Sequence, residues 1–136
     1  MNSSPMTERT LTQLDYVRLT RLASQFKSGA PEAVLTVLDT SDLVASEAVP
    51  GDVVTMYTQL LLQGDEGTPP YRVTLCYPGD AEPAAGFISV LSPLGSSLIG
   101  LRAGEVAHWQ TPSGSQPHAK IVEVLFQPEA SGDYTL

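Results

Sequence analysis

Three glycines and two adjacent serines lie within SPLGSSLIGLRAGEVAHW, residues 92–109, and glycine beside hydroxyl side chains is the material of a phosphate cradle. A Walker-type loop needs G-x-x-x-x-G-K-[ST], because backbone N–H groups form the cradle, the lysine reaches the terminal phosphates and the hydroxyl holds magnesium. Leu101 stands in the lysine position, so nothing there meets a terminal phosphate. The dinucleotide spacing G-x-G-x-x-G is not met either. The same residues read better as a short helix: Ser92 as N-cap, Pro93 at the first helical position, Leu94, Leu98 and Leu101 along one face, and Gly100 as the left-handed residue that stops it.

Other chemistry is sparse. His108 and His118 are ten residues apart in sequence, on what read as different elements, and Cys76 is the single cysteine, so the ligand spacing of a metal site is missing. No nucleophile elbow G-x-S-x-G occurs. Cys76 lies within the apolar run YRVTLCYP, which predicts a buried thiol, and one cysteine fits a reducing compartment. No cofactor or small-molecule ligand is expected. The first ten residues lack the basic start and apolar core of a secretory signal, and no apolar run is long enough to span a bilayer. A cytoplasmic, membrane-free location is the expectation.

Charge is more informative. Fifteen acidic residues against seven basic ones give a net charge of −8, which argues against direct nucleic-acid binding, an affinity carried by clustered lysine and arginine. Four of the seven cations, Arg9, Arg18, Arg21 and Lys27, fall within the first 27 residues. That asymmetry fits a solvated surface, or a chain oriented by a charged partner.

The elements that must carry these residues divide at about residue 49. Thr12-Gln13-Leu14-Asp15 fits the capping box [ST]-x-x-[DE], and a helix over 13–26 follows, with Leu14, Leu22 and Phe26 on one row. KSGAPE breaks it. A second helix over 31–43 offers Val34, Leu35 and Leu38 as its apolar face. The pair, residues 1–48, predicts an antiparallel hairpin about 20 Å long at 1.5 Å per residue. Residues 49–136 read as five strands separated by Gly, Pro, Asp and Ser clusters. The short helix lies between the third and fourth strands, where Leu94, Leu98, Ile99 and Leu101 would fill the hollow of an antiparallel-rich sheet. The class is α+β.

VPGDVVTM, SPLGSSLIGLRAGEVAHWQTPSG and VLFQPEASGDYTL resemble the family of regulators of nucleoside diphosphate kinase (Rnk), relatives of the Gre transcript-cleavage factors. The resemblance extends from LTQLDYVRL to the last residue. It implies an FKBP-like C-terminal domain behind a helical hairpin, and RNA polymerase as the partner, bound near its secondary channel. Gre factors insert a long finger there, whose acidic tip helps hold a catalytic metal. In this chain the hairpin is short, and its turn carries one carboxylate, Glu32, with Lys27. The resemblance therefore implies a non-enzymatic transcription regulator that competes with Gre factors without stimulating transcript cleavage. Partner contacts are expected at Arg18, Arg21, Lys27, Glu32 and Tyr134.

Three readings stay open at this stage. Glu32, Asp39 and Asp42 fit a solvated helix face or a remnant of the acidic tip. Trp109 fits rim packing or the floor of a proline pocket, as in a prolyl isomerase or proline-peptide binder. The polar tail QPEASGDYTL fits a docked segment or a contact surface.

Overall fold

The computed structural model describes residues 8–26, 31–64 and 67–134. A three-residue strand, β1 (Thr10–Thr12), runs straight into helix α1 (Gln13–Ala23); helix α2 (Glu32–Thr40) then leads into strand β2 (Asp42–Val44). Thr12 is the N-cap: its extended backbone leaves Oγ1 free to accept from Asp15 N–H at 3.0 Å. The second helix was expected to reach residue 43. It stops at Thr40 because Asp42 N–H goes to Arg9 O at 2.9 Å and the chain pairs in parallel with β1.

The apolar face of α1 is offset from the expected row. Asp15 and Leu19 are the buried positions of α1, preceded by the buried Leu11 and Thr12 of β1, whereas Leu14 and Leu22 are half-buried and Phe26 lies exposed past the helix end. β1 sets this rotation: Thr10 N–H donates to Gly100 O at 3.1 Å, which fixes Leu11 inward before the helix begins. In α2 the buried residues are Val34 and Val37, Leu38 is half-buried and Leu35 is exposed.

The second part contributes strands β3 (Gln59–Gln63), β4 (Tyr71–Cys76) and β5 (Phe87–Ser89), helix α3 (Pro93–Leu98), and strands β6 (Val106–His108) and β7 (His118–Phe126). The sheet order is β5-β4-β3-β7-β6. β3 pairs antiparallel with β4 and β7, and β6 with β7, but β4 and β5 are parallel. The sheet is therefore mixed: it is antiparallel-rich as expected, and the parallel pairing of β4 with β5 at its edge corrects a wholly antiparallel arrangement. After β4 the chain returns across the end of the sheet through one-turn 3-10 helices at Pro78–Asp80 and Pro83–Ala85, and such a crossover delivers the next strand in the same direction. The α+β class holds.

Helix α3 starts and stops as its residues require. Ser92 Oγ accepts from Gly95 N–H at 3.0 Å, Pro93 fills the first turn, and Gly100 follows with φ +85°. Leu98, Ile99 and Leu101 are at most 1% exposed and pack with Leu60, Leu62, Leu75 and Ile121 of the sheet. Leu94, expected among them, is half-buried at the rim. Leu11, Leu19 and Val37 belong to the same apolar cluster, so the hairpin and the sheet share one core.

Arg9 closes the other end of α3. Its Nη1 donates to the carbonyls of Ile99 at 2.8 Å, Ser97 at 3.1 Å and Ser96 at 3.4 Å, placing a cation on the helix C-terminus, where the carbonyls lack intrahelical partners. Burial lowers its pKa from the usual value. Replacing Arg9 by Met keeps the aliphatic stem and removes the donors. Urea unfolding of Arg9→Met is expected to show a loss of about 1.5–3 kcal/mol, the range for hydrogen bonds to a charged group.

Candidate functional site

α1 and the turn after β4 face each other across a concavity of about 450 Å³, lined by Arg18, Arg21, Leu22 and Gln25 on one side and Tyr77, Pro78 and Gly79 on the other. Arg18 and Arg21 are three residues apart and so share one helix face. Tyr77 stacks at a tilt on Tyr57, with ring centroids 5.8 Å apart, and the Tyr57 hydroxyl donates to Asp80 Oδ2. Burial first, then Asp80, pushes the Tyr57 phenol up to about 12. Burial also raises the Tyr77 phenol, helped by Asp15 and opposed by Arg18. Tyr57 takes a left-handed backbone, φ +64°, uncommon for a bulky residue, and its N–H donates to Leu75 O at 2.7 Å.

Beneath this groove lies a buried polar junction. The carboxylate of Asp15, 2% exposed, accepts from Met56 N–H at 3.2 Å. In a capping box that carboxylate would turn back to its own N-cap; here it crosses to the sheet-bearing half. Thr55 N–H and Oγ1 both meet Thr58 Oγ1 at 2.9 Å, and Thr55 Oγ1 donates to Glu129 Oε1 at 2.7 Å. The tail is thus docked: Gln127, 3% exposed, donates from Nε2 to Pro50 O and Val53 O, each at 2.8 Å. Desolvation raises the Asp15 carboxyl to about 6; the Met56 N–H, Arg18 and Thr12 oppose the shift and Glu129 adds to it.

Nothing comparable gathers around a reactive group. Cys76 is buried, its Sγ 3.6 Å from Ile88 O, and burial pushes the thiol up. Among the described residues no three His, Cys, Asp or Glu side chains are placed to hold a metal. The two histidines are closer than their sequence separation indicated: His108 and His118 are register partners on β6 and β7, with ring centroids 5.9 Å apart. Trp109 is half-buried and borders an apolar concavity of about 360 Å³ with Ile88, Pro93 and Leu94. Among the described residues no helix is long and apolar enough to cross a membrane.

Residues 49–126 match the family described as "Transcription elongation factor, GreA/GreB, C-term". The chain belongs to the GreA/GreB family. Over 130 residues it is 35% identical to the regulator of nucleoside diphosphate kinase of Escherichia coli K12, covering 93% of this chain and 95% of that one. A 45-residue stretch is 49% identical to the elongation factor GreA of Thermomicrobium roseum, 33% of this chain and 28% of that protein. Among solved structures, a GreA/GreB elongation factor from Nitrosomonas europaea superposes with a TM-score of 0.73 at 30% identity, over 90% of this chain and all of that one. These likenesses carry the names of regulators and transcription factors, and give the prolyl-isomerase reading of Trp109 no support.

The structure brings two of the expected contact residues of this Gre-family chain together and separates the others. Arg18 and Arg21 share the groove. Lys27 lies outside the described residues. Glu32, at the start of α2, borders a different concavity of about 490 Å³ with Arg9, His108 and Trp109. Tyr134 is exposed near the end of the chain. Asp15 escaped the sequence reading because the capping box accounted for it locally; an acid four residues from both Leu11 and Leu19 was the available signal.

Proposed function

We propose that this chain is a non-enzymatic regulator that docks on RNA polymerase near its secondary channel and excludes Gre-type factors without stimulating transcript cleavage. The observation that carries the reading is the match of residues 49–126 to the GreA/GreB C-terminal part, joined to helices of only 11 and 9 residues in place of a long finger. The groove holding Arg18 and Arg21 supports a partner that brings carboxylates. In a chain of net charge −8, a local cationic face favours an acidic partner and disfavours the rest of the surface.

Binding to core RNA polymerase tests this directly. The chain should co-purify with the enzyme and be displaced by excess Gre factor; binding unchanged at saturating Gre factor rules out a shared site. Arg21 is the cleaner probe of the groove, being exposed, whereas Arg18 also faces Asp15 and Tyr77. Arg21→Glu, and more strongly the double reversal with Arg18→Glu, should weaken association about tenfold at low salt and flatten its salt dependence. Equal affinity of wild type and Arg21→Glu at low salt would place the contact elsewhere.

A further inference from the structure

We infer that Asp15 is a proton-controlled latch between the helical hairpin and the sheet: neutral, it holds α1 down, and ionised, it loosens α1. This is a property of the free chain, whatever partner it meets.

The geometry carries the inference. Asp15 lies on the buried side of α1 with Leu19, one turn after the buried Leu11 of β1, so the carboxyl cannot be hydrated unless α1 lifts. Every element packed around it contributes a group. The 53–58 segment offers the Met56 N–H. The tail brings the carboxylate of Glu129, accepting from Thr55. The turn after β4 brings the Tyr77 phenol. α1 itself supplies Arg18 one turn on, shared with Tyr77, and the N-cap Thr12. Burial of the Asp15 carboxyl favours its neutral form, and the Glu129 carboxylate adds to that preference. Arg18 and the Met56 N–H offset only part of that, and the Asp15 carboxyl is pushed up to about 6.

The sign follows. In the closed junction Asp15 holds its proton to higher pH than it does in water, so protons favour closure, and closure weakens as pH rises from about 4 through 6. For a group titrating near 6 when closed and near 4 when open, the opening constant increases about tenfold between pH 5 and pH 7.5. The shared core residues Leu11, Leu19 and Val37 keep closure dominant; the latch changes how often the hairpin lifts.

Amide hydrogen exchange of α1, corrected for the intrinsic pH dependence of exchange, reads this directly in the full chain. Opening of the amides from Val17 to Leu22 should increase about tenfold from pH 5 to pH 7.5 in the wild type. It should be flat in Asp15→Asn, and shallower in Glu129→Gln, which removes the neighbouring charge. A wild-type opening constant independent of pH, or the same slope kept in Asp15→Asn, overturns the latch. Should Asp15→Asn not fold, carboxyl carbon NMR of the wild type decides: a midpoint near 6 shared with the Met56 amide supports it, and a midpoint below about 4.5, within the ordinary carboxylate range, overturns it.

Discussion

Gly95→Ala should fail to give a stably folded protein, or lower the unfolding free energy by about 4 kcal/mol or more, among the largest effects of single substitutions. A Cβ built on Gly95 would stand 1.9 Å from Ser89 O, 2.7 Å from Ser89 C and 3.0 Å from Val90 Cα. All three are backbone atoms at the end of β5, so no rotamer change relieves the overlap. α3 must move off the strand, and with it Leu98, 0% exposed in the core, and the cap made by Ser92. The total stability of a domain this size is itself only about 5–15 kcal/mol. Gly104→Ala is the matched control: φ is +93°, yet nothing lies within 4 Å of its Cβ, so only backbone strain of about 1–2 kcal/mol is expected. Equal midpoints for the two variants in urea would mean that α3 does not rest on the Ser89–Val90 backbone.

That glycine also shows where sequence reading succeeds and stops. Ser92, Pro93 and Gly100 act through their own backbone and the next few residues, so the bounds of α3 were legible from local chemistry. The reason position 95 needs glycine lies in β5, which is set against α3 by the pairing of Thr74–Cys76 with Phe87–Ser89. A parallel pairing made through a crossover leaves no local trace, and the same blindness hid the mixed character of the sheet. Asp15 is the parallel case in the candidate site. Thr12 as N-cap was readable because the bond to Asp15 N–H spans three residues; the bond from Met56 N–H spans 41. Arg9 counted as one more basic residue until β1 brought it to the end of α3. Likewise His108 and His118 become neighbours only through the register of β6 and β7. The basic groove was half legible: Arg18 and Arg21 lie on one helix face by spacing alone, but Tyr77 and Pro78, its other wall, come from beyond β4.

Added to a backtracked elongation complex, the chain should not stimulate RNA cleavage, and reach is the reason. Helices of 11 and 9 residues are about 16 Å and 14 Å long at 1.5 Å per residue, shorter than the 20 Å read from the sequence. Even that length is not all available. Leu11, Asp15 and Leu19 are buried, as are Val34 and Val37 of α2, so little of either helix stands clear of the sheet. A carboxylate coordinates a hard divalent cation only at about 2–2.5 Å, and Glu32, at the start of α2 on the rim of a concavity it shares with Arg9 and Trp109, has no long arm to carry it there. Added acidity does not change reach: Ala33→Asp beside Glu32 should leave cleavage at background. Replacing residues 1–48 by a full-length Gre hairpin should raise it, provided residues 49 onward dock as proposed. Background cleavage from that chimera, with binding retained, would trace the missing activity to docking geometry; robust cleavage by the unmodified chain, lost in Glu32→Ala, would overturn the reach argument and the competitor role with it.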